Sequence, residues 1–241
     1  MSKDDAKPDQ ASLEVLASGA EKTFENAEQL FHEAELLAKA GAVSRALYLH
    51  QISLEECSKV DTLGAWAVSL LVGLEVDQKK VLAALAKHSA KNKSNAYMLA
   101  GSEAEKDAKS RGDLKGAIEA FKKSQEEFHQ TSNKAKNASL YVDWVDGAFT
   151  APGEWISKQM LIEITGRNAT FLAYAQNRVK MMKRLAEFPD KMRGLLSSFV
   201  DQVEKLRDDE AENPVAAIEA LLARLLEDGK RELKDEIVIL R

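Results

Sequence analysis

Three segments of the chain carry acid, amide, imidazole and ammonium groups where helical periodicity calls for apolar ones. In the first, Leu49, Ile52, Val60 and Leu63 share one face at about 100° per residue, and Glu56 lies in the middle of it. Glu55 lies beside it, and Lys59 is within reach of both carboxylates at i+4 and i+3. In the second, Val81, Leu85 and Leu99 set a stripe that also contains His88, Asn92 and Asn95, with Lys87, Lys91 and Lys93 around the histidine. In the third, Ile118 and Leu140 align with His129, Lys136 and Asp143, while Tyr141 faces elsewhere, near Trp144. A charged group on a core stripe is costly unless partnered. Two arrangements meet that cost: a satisfied polar network that sets helix register, or a pocket with His88 as general acid or base among cations and carboxylates. Three helices doing this at once favours the pocket.

Other chemistries find less support. A carboxylate-bridged metal bundle needs Glu-x-x-His on two helices, and the chain offers the spacing once, at Glu126 and His129, so no metal or other cofactor is expected. Cys57 has no basic neighbour beyond Lys59 and reads as a small core residue; being the single cysteine, it excludes an intramolecular disulfide. No Gly-rich phosphate loop occurs.

The elements that must position these groups are helices. Of 241 residues, 45% are hydrophobic and 30% charged, with only 12 Gly, 4 Pro and 6% aromatic residues. Such a composition, rich in Ala, Leu, Glu and Lys, excludes a disordered chain and a β-sandwich and predicts an all-α fold. Helices are expected from about Ser12 to Ala40, from Val43 to Trp66 or beyond, from Asp77 to Leu99, and from Gly112-Asp113 to about Asp143. Gly147 to Gly153 is the clearest break. Glu154 to Glu187 reads as one or two helices, interrupted or not at Gly166. Pro189-Asp190 starts another helix ending in the acidic stretch Asp208 to Glu212, and Asn213-Pro214 starts the last. The expected organisation is a tail over 1–11, a helical bundle over 12–150 and a helical extension over 151–241. The similar turns at 39–47 and 110–118 lie 71 residues apart, no multiple of the roughly 34-residue tetratricopeptide period, so they are two hairpins and no solenoid.

The N-terminal ten residues lack the apolar run of a secretory signal, and Thr62 to Leu74, the longest uncharged stretch, falls short of the roughly 20 residues of a membrane span. A cytoplasmic protein without membrane contact is expected. The 34 basic and 39 acidic residues leave a net charge of −5, against a broad nucleic-acid platform but compatible with a local basic site.

The segment NAEQLFHEAELLAKAGAVSRALYLHQISLEECSKV (26–60) resembles the first helical hairpin of the AbiV family of abortive infection proteins, including its Glu-Glu-x-x-Lys element, here Glu55, Glu56 and Lys59. KHSAKNK, with His88 and Lys91, is similar to that family's His-and-Lys segment. KNASLYVDW is similar to its Lys-x4-Tyr-Val-Asp element, here Lys136, Tyr141 and Asp143. The resemblance covers roughly residues 24–160 and implies a HEPN-like up-and-down helical bundle with additional C-terminal helices.

It further implies a bacterial anti-phage effector, with metal-independent ribonuclease chemistry as in many HEPN proteins and a homo-oligomer, a dimer above all. HEPN ribonucleases use an Arg-x4–6-His motif, and Arg45-x4-His50 fits its spacing. This pair lies in an early helix rather than a later one, and five residues rotate a helix by about 140°, turning the two side chains apart. On the leading reading Glu56, Lys59, His88, Lys136, Tyr141 and Asp143 form a catalytic pocket acting on RNA, with Glu55, Lys91, Asn92 and Asn95 as binding residues. The alternative is a non-catalytic module that binds a phage or host protein through helical surfaces.

Overall fold

Small residues at a seven-residue spacing build the centre of the protein. The structure, a computed structural model, describes residues 11–87, 91, 95 and 99–197. Helix α1 (Leu13–Lys39) starts at Ser12, whose hydroxyl accepts the Val15 N–H, and buries Ala20, Ala27 and Ala34 completely. After a turn at Gly41 (φ 79°), helix α2 (Val43–Leu71) buries Ala46, Ser53, Val60 and Ala67 at the same spacing. The resulting seam lets the two helices pack closely as an antiparallel pair: Ser53 Oγ donates to the Ala27 carbonyl at 2.7 Å. The full-length α2 fulfils the expected helix and extends past Trp66.

Helix α3 (Gln78–Ala86) is capped by Asp77 and stops well short of the expected Leu99, because Lys87 is extended (φ −88°, ψ 121°). Lys91 and Asn95 are again helical, and Lys91 N–H donates to the Lys87 carbonyl. Val81 and Leu85 therefore do not share one continuous helix with Asn95, and Leu99 is not helical.

Helix α4 (Glu103–Ser110) follows, then α5 (Leu114–Ala138). Neither the expected end of α5 at Asp143 nor the burial of Ile118 holds. Asp143–Val145 is strand β1, paired antiparallel with β2 (Ala148–Thr150), and Ile118 is half exposed. Asp146 and Gly147, both with positive φ (49° and 88°), make the two-residue turn, a geometry that matches the natural strand twist. The short helix α6 (Pro152–Trp155) leads into α7 (Lys158–Glu187), uninterrupted at Gly166.

The described chain forms two compact units. One comprises residues up to 99 with 125–187. In it α7 packs against both α1 and α2, with Leu161, Ile164, Asn168, Phe171, Ala175, Val179, Met182 and Leu185 as its buried seam. The expected division at 150–151 therefore separates α7 from helices with which it shares a core. Arg178 closes that packing beside Gly64, where an added Cβ would come within 2.9 Å of its stem, and pairs with Asp61 at 3.0 Å. Of the described residues the second unit comprises 100–124 and 188–197, with α4 capped by Ser102 and residues 189–197 helical. The helix expected from Asn213-Pro214 and the end of its predecessor lie outside the described residues. No helix among the described residues is long and apolar enough to cross a membrane.

Candidate functional site

Helix α2 directs polar groups to two different sides, since Ser53 and Glu55 are two residues and about 200° apart. On one side Glu55, 1% exposed, receives two ammonium groups. Lys136 Nζ of α5 lies 2.8 Å from Oε1 and Lys91 Nζ 3.1 Å from Oε2, with both lysines 8% exposed. Asn95, one turn after Lys91 and fully buried, donates from Nδ2 to the Leu54 carbonyl at 2.9 Å. Among the described residues its Oδ1 finds no hydrogen-bond partner.

On the other side His50, fully buried, sits among α1, α2 and α7. Asn168 Nδ2 lies 3.1 Å from its Nδ1 and also donates to its carbonyl at 3.3 Å, while Thr165 Oγ1 is 3.0 Å from Nε2. The Asn168 amide makes Nδ1 the acceptor and leaves the proton on Nε2. Ser53 Oγ lies 3.2 Å from Asn168 Oδ1, and Phe31 meets the imidazole edge-on at 4.9 Å.

Burial pushes the His50 pKa below its ordinary 6.5, against the smaller upward pull of Glu35, 3.8 Å away. The unfolded chain binds this proton below about pH 6.5, whereas the folded chain resists it. His50 therefore weakens the fold progressively as pH falls below 6.5, down to its folded pKa, and contributes no slope above. The melting temperature is expected to fall more steeply between pH 7 and pH 5 than that of His50→Gln; equal slopes would show that His50 is accessible to protons in the native state.

The expected site residues thus separate. Glu55, Lys91, Asn95 and Lys136 come together. Glu56 turns away and pairs with Lys59 at 2.6 Å. Tyr141 and Asp143 stand exposed by the hairpin, Asp143 Oδ1 accepting the Trp144 N–H, and line a separate cavity of 150 Å³ with Lys134 and Trp155. Arg45 is exposed and His50 buried, so the two are not neighbours at one site. His88 and Asn92 lie outside the described residues. Burial, reinforced by the Asp61 and Glu56 carboxylates, pushes the Cys57 thiol up to about 12, which removes it as a nucleophile at neutral pH. Among the described residues no three His, Cys, Asp or Glu side chains gather as a metal site would require. Reasoning from the sequence missed Asn168, Thr165 and Ser53, and a polar residue on the otherwise apolar seam of α7 was the signal for Asn168.

The mostly helical bundle is consistent with a HEPN fold. The AbiV model of HEPN domains matches residues 15–173, well over half of the chain, and the protein belongs to the AbiV family. The uncharacterized protein y4gJ of Sinorhizobium fredii is 61% identical over 110 residues, which are 46% of this chain and 57% of that relative. The chain thus matches little more than half the length of that curated relative. No solved structure matches the chain.

Proposed function

We propose that this AbiV protein acts on RNA in the infected cell, with Lys91 and Lys136 as phosphate-facing cations and His88, three residues before Lys91, as general acid or base. The observation that supports this reading is the convergence of two ammonium groups on the single Glu55 carboxylate. Glu55 balances one of the two charges, so an RNA phosphate displacing it from either lysine meets cations already in place. Attack of a ribose 2′-OH on the adjacent phosphorus forms a 2′-O–P bond and breaks the 5′-O–P bond. A base takes the 2′ proton, an acid returns one to the 5′ oxygen, and cations stabilise the charge on the phosphoryl oxygens. Asn95, one turn after Lys91, offers its amide Oδ1 as an acceptor for the 2′-OH. This reading also includes Glu56, Lys59, Tyr141 and Asp143 and a cytoplasmic homodimer.

Wild-type protein incubated with total RNA is expected to cleave it in the presence of EDTA, and His88→Ala and Lys136→Ala to lower the rate by about 10²- to 10⁴-fold. Absence of cleavage under every condition removes the nuclease reading; cleavage retained by both variants removes the site. A second reading has its own observation. The hairpin leaves Trp144 and Phe149 61% and 74% exposed, ring edge to ring face at 4.9 Å, beside exposed Tyr141 and Val142. Such an apolar patch suits a non-catalytic effector that docks a phage or host protein.

A further inference from the structure

We infer that the β1–β2 hairpin docks an arginine-rich segment of a partner protein. The inference rests on the second reading above and names the chemistry of what docks. Alternation along the two strands gives the hairpin two unlike faces. On one, the cross-strand partners Trp144 and Phe149 show their rings to solvent. On the other, Asp143, Val145 and Thr150 join Tyr141 and Trp155 in lining the cavity of 150 Å³. That volume falls below the roughly 300–1,000 Å³ of small-molecule sites and suits a single anchoring side chain.

The charges set among these rings have one sign. Residues 137–157 hold three acids, Asp143, Asp146 and Glu154, and no Lys, Arg or His. All three acids are exposed, and none forms an ion pair among the described residues. Asp143 accepts the Trp144 N–H at 3.0 Å and Glu154 the Ala151 N–H at 2.6 Å, so their bonds go to backbone and their charge is left for a partner. Aromatic faces beside carboxylates are what a guanidinium takes, stacking on the ring and forking to the acid. The chain already makes the ring half of this contact with itself: Lys134 Nζ lies 5.3 Å from the centre of the Trp155 ring, on the same cavity. Other occupants fit less well. An RNA strand or an anionic lipid surface would bring phosphates against three carboxylates, and a second copy docking through the same patch would set like charges together.

Full-length protein titrated by fluorescence polarisation is expected to bind a labelled peptide of alternating Arg and Gly, to bind its Lys counterpart several-fold more weakly, and not to bind its Glu counterpart. Trp144→Thr/Phe149→Thr, whose β-branched residues keep the strands, should weaken binding by more than about tenfold with melting temperature unchanged. Asp143→Asn/Asp146→Asn/Glu154→Gln should do the same, since each amide can keep the backbone bond or the positive-φ turn while the charge goes. Glu14→Gln/Glu187→Gln, exposed acids elsewhere on the same unit, should leave binding unchanged. Equal binding of the Arg and Glu peptides, no binding at about 1 mM, full binding by either hairpin variant, or self-association of the wild type that the threonine variant abolishes would each overturn the inference. A photo-crosslinking residue, Phe149→p-benzoylphenylalanine, separates its failure from that of the reading beneath it. In infected cells, a crosslinked protein without peptide binding leaves a docking effector whose partner is not basic, whereas neither crosslink nor peptide binding removes both.

Discussion

Glu55→Ala is expected to cost about 3–5 kcal/mol of folding stability, because it strands two ammonium groups at a point almost closed to water. The attraction of Glu55 for Lys91 and Lys136 offsets the desolvation of all three groups only while the carboxylate is present. Lys136→Met should cost less, since it leaves one balanced pair, Glu55 with Lys91, and a methionine fills the lysine stem's space. The sharper test is the combination: Lys136→Met should reduce the penalty of Glu55→Ala, because one stranded charge is then gone. Urea unfolding of the four proteins measures this. A Glu55→Ala cost below about 1 kcal/mol would mean that water reaches the cluster freely. That result would show that solvent reaches Lys91 and Lys136 in the native state.

Asn168→Ala should destabilise the protein by about 3 kcal/mol, as it removes three contacts at the meeting point of α1, α2 and α7. His50 Nδ1 and the His50 carbonyl lose the amide donor, and Ser53 loses a neighbouring acceptor, all at fully buried positions. Asn168→Leu restores volume but not hydrogen bonding, so it should recover only part of the loss. Adding His50→Leu to Asn168→Leu should bring stability back up, because an apolar pair leaves no orphaned imidazole. Strict additivity of the two single changes, measured by the same unfolding midpoints, would contradict the network. The pH dependence traced to His50 should disappear in the double variant.

The two clusters differ in how much of them was legible in advance. Glu55, Lys91, Asn95 and Lys136 were picked out because polar residues sat on or beside apolar stripes, and these four do meet. Periodicity favoured Glu56 over Glu55 as the inward carboxylate, yet Glu56 pairs with Lys59 at the edge. The apolar stripe used to orient α2 was Leu49, Ile52, Val60 and Leu63, of which Leu49 and Ile52 are only half-buried. The actual seam is small residues, Ala46, Ser53, Val60 and Ala67, which hydrophobicity ranks low but close helix packing selects. On a helix covered from several sides, a stripe counted on large residues points between its neighbours.

The hairpin had a local signal, Asp146-Gly147 between Val145 and Ala148, that the helical pattern of the preceding residues obscured. Carrying α5 through to Asp143 placed that carboxylate on a helix face, whereas a strand turns it to solvent. The same applies to α3, where nothing but the extended Lys87 tells that the stripe through Leu85 ends before Lys91.

By itself the order of residues determined the helical class, most helix starts, the family and the polar groups worth watching. Those follow from local quantities: helix propensity, caps, breakers and the spacing of side chains along one element. Only the tertiary structure decided which carboxylate two lysines share and that α7 belongs to the core of α1 and α2. Each of these depends on rotation and contact between elements far apart in the chain, and a rotation of a third of a turn exchanges a buried partner for solvent.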